Sequence, residues 1–197
     1  MMQAIWLAPL LGLVSLVVVV FMYAWLMRQS DGNETMQSIA RQIQEGAAAY
    51  MSRQSMNVSI FLVVVFVLLA VFLKPFGLPT AIAFALGGIT SMVCGWIGMT
   101  AATRAHVRTT QAANKRGVSA ALSVAYNGGS VMGLAVAGIG LIGFGGLYIF
   151  LTRRYGGDPS YLAILNGFAM GASSIALFMR VGGGIYTKSA PTSADLV

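Results

Sequence analysis

Arg180 and Lys188 stand eight residues apart at the end of a long apolar run, in FMRVGGGIYTKSAPTSADLV (178–197). Gly182, Gly183 and Gly184 lie between them. A helix turns about 100° per residue, so positions four apart share a face. Arg180, Gly184 and Lys188 therefore form a slowly drifting stripe about 12 Å long, at 1.5 Å rise per residue. The glycines remove side-chain bulk and leave a slot with one cation at its rim and another deeper in. In one reading Lys188 holds an anion while Arg180 pairs with a carboxylate. In the other, both cations snorkel to lipid phosphates. The stretch is not a phosphate loop of the G-x-x-x-x-G-K-[ST] kind, because its lysine does not follow the final glycine.

Asp195 lies seven residues after Lys188, nearly in register on the same helical face. A divalent metal beside a phosphate needs several hard oxygen ligands. The acidic residues are Asp31, Glu34, Glu45, Asp158 and Asp195, and the topology predicted below puts Asp158 outside. A complete multi-metal site is therefore not expected from the C-terminal region of this chain. His106 has no second ligand near it in sequence, which makes a metal role weak. Cys94 is the single cysteine and excludes any internal disulfide.

These residues sit in a strongly apolar frame. The chain has 197 residues, 57% of them hydrophobic and 9% charged, with 24 glycines and a mean hydropathy of +0.80. A soluble domain carries roughly 25% charged residues. The expected fold is all-α: a polytopic transmembrane helix bundle with about five spans, near 4–27, 45–73, 80–103, 118–151 and 161–188. The first apolar run is too long for a signal peptide and has no small-residue cleavage site after it. The net charge is +7, but the basic residues lie between apolar runs rather than on one face. That argues against nucleic acid as a partner.

Lysine and arginine set the orientation. With the N-terminus outside, Arg28, Arg41, Arg53, Arg104, Arg108, Lys115, Arg116, Arg180 and Lys188 lie inside, against Lys74, Arg153 and Arg154 outside. The positive-inside rule thus predicts a cell-membrane protein with its N-terminus outside and its last residues cytoplasmic. The inside segment 33–57 has Met36, Ile39, Ala40 and Ile43 at helical spacing. It predicts an amphipathic helix, capped by Asn33 or Thr35, that runs on into the second span. The segment TRAHVRTTQAANKRG (103–117) reads as the connection between the third and fourth spans, its cations serving as orientation signals or lipid contacts. G-x-x-x-G spacings at Gly129/Gly133 and Gly167/Gly171 predict close helix packing.

GFAMGASSIALFMRVGGGIYTK (167–188) is very similar to the fifth-span signature of the membrane-bound, ion-translocating pyrophosphatases. IARQIQEGAAAYMSRQ (39–54), GMTAATRAHVRTTQAA (98–113) and ALSVAYNGGSVMGL (121–134) resemble that family's earlier segments, in the same order. The resemblance implies a fold of about sixteen membrane helices working as a homodimer. It implies magnesium-dependent pyrophosphate hydrolysis at the inner face, with protons or sodium ions moved outward. Lys188 would contact pyrophosphate, Arg180 would belong to the ion gate, and Asp195 would serve the substrate and magnesium region.

The chain departs from the family pattern after Lys188. The family continues A-A-D-V-G-A-D-L-V, whereas here Pro191 occupies the position of the first aspartate. Proline supplies no carboxylate, and it costs about 3 kcal/mol in a helix interior. With no complete catalytic set in these 197 residues, the expectation is an N-terminal fragment or truncated copy of a pump, inactive alone. The competing expectation is a non-catalytic membrane protein, either a transporter subunit or a helical interaction module whose glycine faces receive a partner.

Overall fold

A computed structural model describes residues 6–155 and 161–195, with side chains described up to residue 184. Five helices follow one another: α1 (Leu7–Met27), α2 (Glu34–Phe72), α3 (Gly77–Arg116), α4 (Val118–Tyr155) and α5 (Leu162–Asp195). Each contains a stretch long and apolar enough to cross a membrane. No strand occurs among the described residues. The all-α, multi-pass membrane architecture is therefore the observed one.

The helix ends follow local chemistry. Asn33 caps α2, its Oδ1 accepting the Met36 backbone N–H at 2.9 Å. This satisfies one of the free donors of the first turn. From that cap α2 runs for 39 residues without interruption, so the amphipathic segment and the second span are one helix. Pro79 falls in the first turn of α3, where its missing N–H costs nothing.

The expected connection 103–117 takes a different form. α3 continues through it to Arg116, and Gly117 alone separates α3 from α4. Gly117 has φ of +82°, and its N–H bonds to Ala113 O at 3.2 Å. This is the left-handed helix stop that glycine adopts without a Cβ penalty. The segment stays helical because its alanines, arginines and glutamine are good helix formers. It also buries a face of its own: Ala101, Ala105, Arg108 and Ala112 are all buried.

The chain divides into two compact units, residues 1–49 with 93–146, and residues 50–92 with 147–197. In the first unit α1 lies against α4 through glycine. A methyl group on Gly12 would sit 2.7 Å from Gly138 O, and one on Gly138 would sit 2.9 Å from Gly12 O. Ser15 Oγ donates to Leu134 O at 2.8 Å one turn further on. Gly12, Val19 and Leu26 recur every two turns as the buried stripe of α1. Val19 joins Ala101, Val131 and Ala135 in one cluster. Leu26 joins Ala105, Ala112, Ala121 and Val124 in another.

In the second unit the first half of α3 meets α5. A Cβ at Gly87 would run into Phe168 O, and one at Gly171 into Phe84 O; at Gly167 it would lie 2.7 Å from Thr80 O. A cluster of Ala83, Leu151, Tyr161, Ile164, Leu165 and Phe168 fills the space beside this seam. The Gly167/Gly171 pair is thus a working helix contact. At Gly129 and Gly133 a Cβ would meet no described atom within 4 Å.

The seam makes a clear prediction. Gly171→Val forces a side chain against the Phe84 carbonyl, and overpacking of this kind costs about 1–3 kcal/mol. The thermal midpoint in detergent should fall by several degrees, at roughly 2–4 °C per kcal/mol for a chain of this size. Gly133→Ala should leave the midpoint unchanged or slightly raised, since alanine favours helix by about 1 kcal/mol.

Candidate functional site

The cation stripe lies on the C-terminal half of α5. The α5 backbone is helical from Leu162 to Asp195, so Arg180, Gly184 and Lys188 do occupy successive turns of one helix. Arg180 is exposed. The two acidic residues of its own unit, Asp158 and Asp195, lie outside the residues with described side chains, as do Lys188 and Pro191. The expected contacts of Lys188, Asp195 and Pro191 therefore fall outside the described residues. The helix itself continues past Pro191.

Part of the glycine slot is filled. A Cβ at Gly182 would collide with the Tyr50 hydroxyl and lie 3.2 Å from the Gln54 side chain. Gln54 Nε2 donates to Phe178 O at 3.2 Å, and Phe61 packs edge-on to Phe178 with ring centroids 4.9 Å apart. α2 therefore leans on the Gly182 side of α5. At about 100° per residue, Gly182 points roughly 160° away from Arg180 and Gly184. Arg180 and Gly184 consequently lie on the side of α5 opposite that contact. Within the glycine run, Gly182 admits α2, while at Gly184 a Cβ would meet no described atom within 4 Å.

A second polar centre lies in the first unit, on the helical extension of α3. Arg104 Nη1 donates to the Tyr23 hydroxyl, and its guanidinium lies 5.8 Å from the centre of the Tyr23 ring. Arg116 Nη2 donates to Gln29 Oε1 at 2.8 Å. Both bonds tie the polar end of α3 to the end of α1. Arg108 is only 7% exposed and donates from Nη1 to Arg104 O at 2.8 Å. The sequence reading missed this centre because it treated the segment as a connection. The missed signal was the spacing of Ala101, Ala105, Arg108 and Ala112, which puts Arg108 on the buried face.

His106 lines an apolar groove of about 170 Å³ with Ile39 and Ile43 of α2 and Thr110 of its own helix. No cluster of three or more His, Cys, Asp or Glu that could hold a metal occurs among the described residues. Asp31, Glu34 and Glu45, the described carboxylates, belong to the first unit and not to the α5 stripe. The described residues do not by themselves fit a magnesium site.

Long apolar helices, locked at glycines and carrying their cations at the polar ends, define a multi-pass α-helical membrane protein. The family can also be stated. The sequence profile of the inorganic H+ pyrophosphatase family matches residues 13–197, and the chain belongs to that family. It is 43% identical over 197 residues to a K(+)-insensitive pyrophosphate-energized proton pump of Methanosarcina mazei. That match covers all of this chain and 28% of the relative. It is 43% identical over 188 residues to a putative K(+)-stimulated pyrophosphate-energized sodium pump of Clostridium tetani, covering 95% of this chain and 26% of the relative. A K(+)-stimulated pyrophosphate-energized sodium pump of Thermotoga maritima is 36% identical over 190 residues, covering 89% of this chain and 26% of the relative. The chain thus spans little more than a quarter of the length of these curated relatives, and it is as similar to a proton pump as to a sodium pump.

The Gly182 contact can be tested directly. Gly182→Val should push α2 from α5 and break the Gln54–Phe178 bond. Backbone hydrogen exchange around Phe178 is then expected to quicken at least tenfold. Gly183→Val, where a Cβ meets no described atom within 4 Å, should leave that exchange unchanged.

Proposed function

We propose that this chain forms five spans of a pyrophosphate-energised ion pump, and that α5 lines the cytoplasmic mouth where pyrophosphate enters. One observation carries the reading. Within the family match, Arg180, Gly184 and Lys188 follow one another at four-residue spacing on α5, and Arg180 and Gly184 lie opposite the glycine that receives α2. In this reading the N-terminus is outside, as the distribution of lysine and arginine requires.

Pyrophosphate hydrolysis transfers a phosphoryl group to water. The protein's share of that chemistry is positioning and electrostatic stabilisation of phosphate oxygens. Lys188, a compact point charge on a flexible stem, suits contact with a phosphate oxygen. Arg180, two turns deeper, carries a charge that persists at any working pH. A fixed charge there sets a barrier to a cation leaving the site below, which is the property an ion gate needs. Magnesium, the family's expected cofactor, would supply positive charge against the pyrophosphate oxygens. Asp195 could contribute one ligand to it, and the remaining donors would have to come from outside the described residues. Pumping of protons or sodium ions, and assembly as a homodimer in the lipid bilayer, belong to the same proposal.

Pro191 favours the second reading, a non-catalytic membrane module, because it places no carboxylate between Lys188 and Asp195. One experiment separates the two. Residues 1–197 replace the matching part of the Methanosarcina mazei pump, and phosphate release and ion uptake are measured in vesicles. In the pump reading, Lys188→Ala abolishes pyrophosphate hydrolysis, and Pro191→Asp raises magnesium-dependent turnover at least tenfold. Turnover indifferent to Lys188→Ala would refute the role given to the α5 stripe.

A further inference from the structure

The polar ends of α1, α2 and α3 enclose an open pocket of about 190 Å³ within the first unit. Arg41, Arg104 and Arg108 line it, with Asp31, Gln37 and Gln44. Three guanidinium groups thus face one carboxylate. Asp31 Oδ1 accepts from the uncharged Gln37 amide at 3.2 Å, and one carboxylate leaves two of the three cations unbalanced. Arg104 donates to an uncharged hydroxyl on Tyr23, so its charge is not neutralised there.

Arg108 is the decisive residue. It is more than nine-tenths buried. Its Nε is sealed from solvent and has no hydrogen-bond partner among the described residues. Its bond to Arg104 O uses only one of its five donors. A buried guanidinium with no carboxylate hydrogen-bonded to it is unfavourable. An anion entering the pocket would supply that missing counter-charge. Planar guanidinium forks suit phosphate oxygens in particular, because they can donate two parallel bonds.

We infer that the pocket formed by Arg41, Arg104 and Arg108 binds a phosphate-type oxyanion. This site is separate from the α5 stripe and does not depend on the pump reading. Its position suggests a source. Met27, the last residue of α1, lines the pocket, so the site lies where the first apolar span ends. Lipid phosphates occupy that level, and juxtamembrane cations are attracted to anionic headgroups. A free phosphate in solution carries the same chemistry.

The test uses the full chain in detergent, stripped of bound lipid. Native mass spectrometry would follow retention of phosphatidylglycerol against zwitterionic phosphatidylcholine, and calorimetry would follow inorganic phosphate. One phosphatidylglycerol should be retained with about tenfold preference if a headgroup is the source. Saturable inorganic phosphate binding without that preference would identify the free ion. Either ligand should be lost at least tenfold in Arg108→Gln. It should weaken in Arg41→Gln, a change at an exposed position that leaves the fold intact. Arg116→Gln, outside the pocket, should bind as the parent does. The inference is overturned if neither ligand binds saturably, or if Arg108→Gln and Arg41→Gln bind as well as the unaltered chain.

Discussion

Backbone-to-backbone contact between helices is the constraint on which this structure rests. Lipid tails are as apolar as leucine, so burying an apolar side chain against another helix gains little over leaving it in lipid. What remains is the number and closeness of atomic contacts, which dispersion rewards individually by about 0.1–0.2 kcal/mol. Gly12 with Gly138, and Gly87 and Gly171 with the carbonyls of Phe168 and Phe84, bring helix axes closer than any side chain would allow. Clusters that include Val131 in one unit and Ile164 in the other pack in the same units as those close approaches.

The same residue type serves the α5 stripe differently. At Gly167 and Gly171 the missing Cβ is replaced by a neighbouring helix, and at Gly182 by Tyr50 and Gln54. At Gly184, on the far side of the helix, a Cβ would meet no described atom within 4 Å. A single helix therefore uses glycine for adhesion to α3 in its first half and to α2 in its second.

Much of this was legible in the amino-acid pattern, for physical reasons. Five apolar runs had to be spans, since only helices or closed barrels satisfy backbone polar groups in hydrocarbon. The run from Asn33 into the second span read as one helix because its apolar positions keep helical spacing and Asn33 is a strong cap. The polar half of α3 was not legible in the same way. It has no wide apolar face, and what it buries is a thin line of alanines with one arginine among them. G-x-x-x-G spacing also could not say which pair is used: Gly167/Gly171 is occupied, while Gly129 and Gly133 face open space among the described residues. Spacing encodes the ability to pack, whereas the partner is fixed by residues far away in sequence.

The unbroken run of α3 to Gly117 also sorts its cations by height. From Thr103 to Arg116 a helix rises about 20 Å. Arg104 and Arg108 sit in the first part of that rise, and Lys115 and Arg116 in its last turn. Their side chains span part of the height, since Arg104 reaches Tyr23 within α1 and Arg116 reaches Gln29 just beyond its end. A flexible tether would leave these two moorings unspaced; a stiff rod fixes their backbones about 18 Å apart.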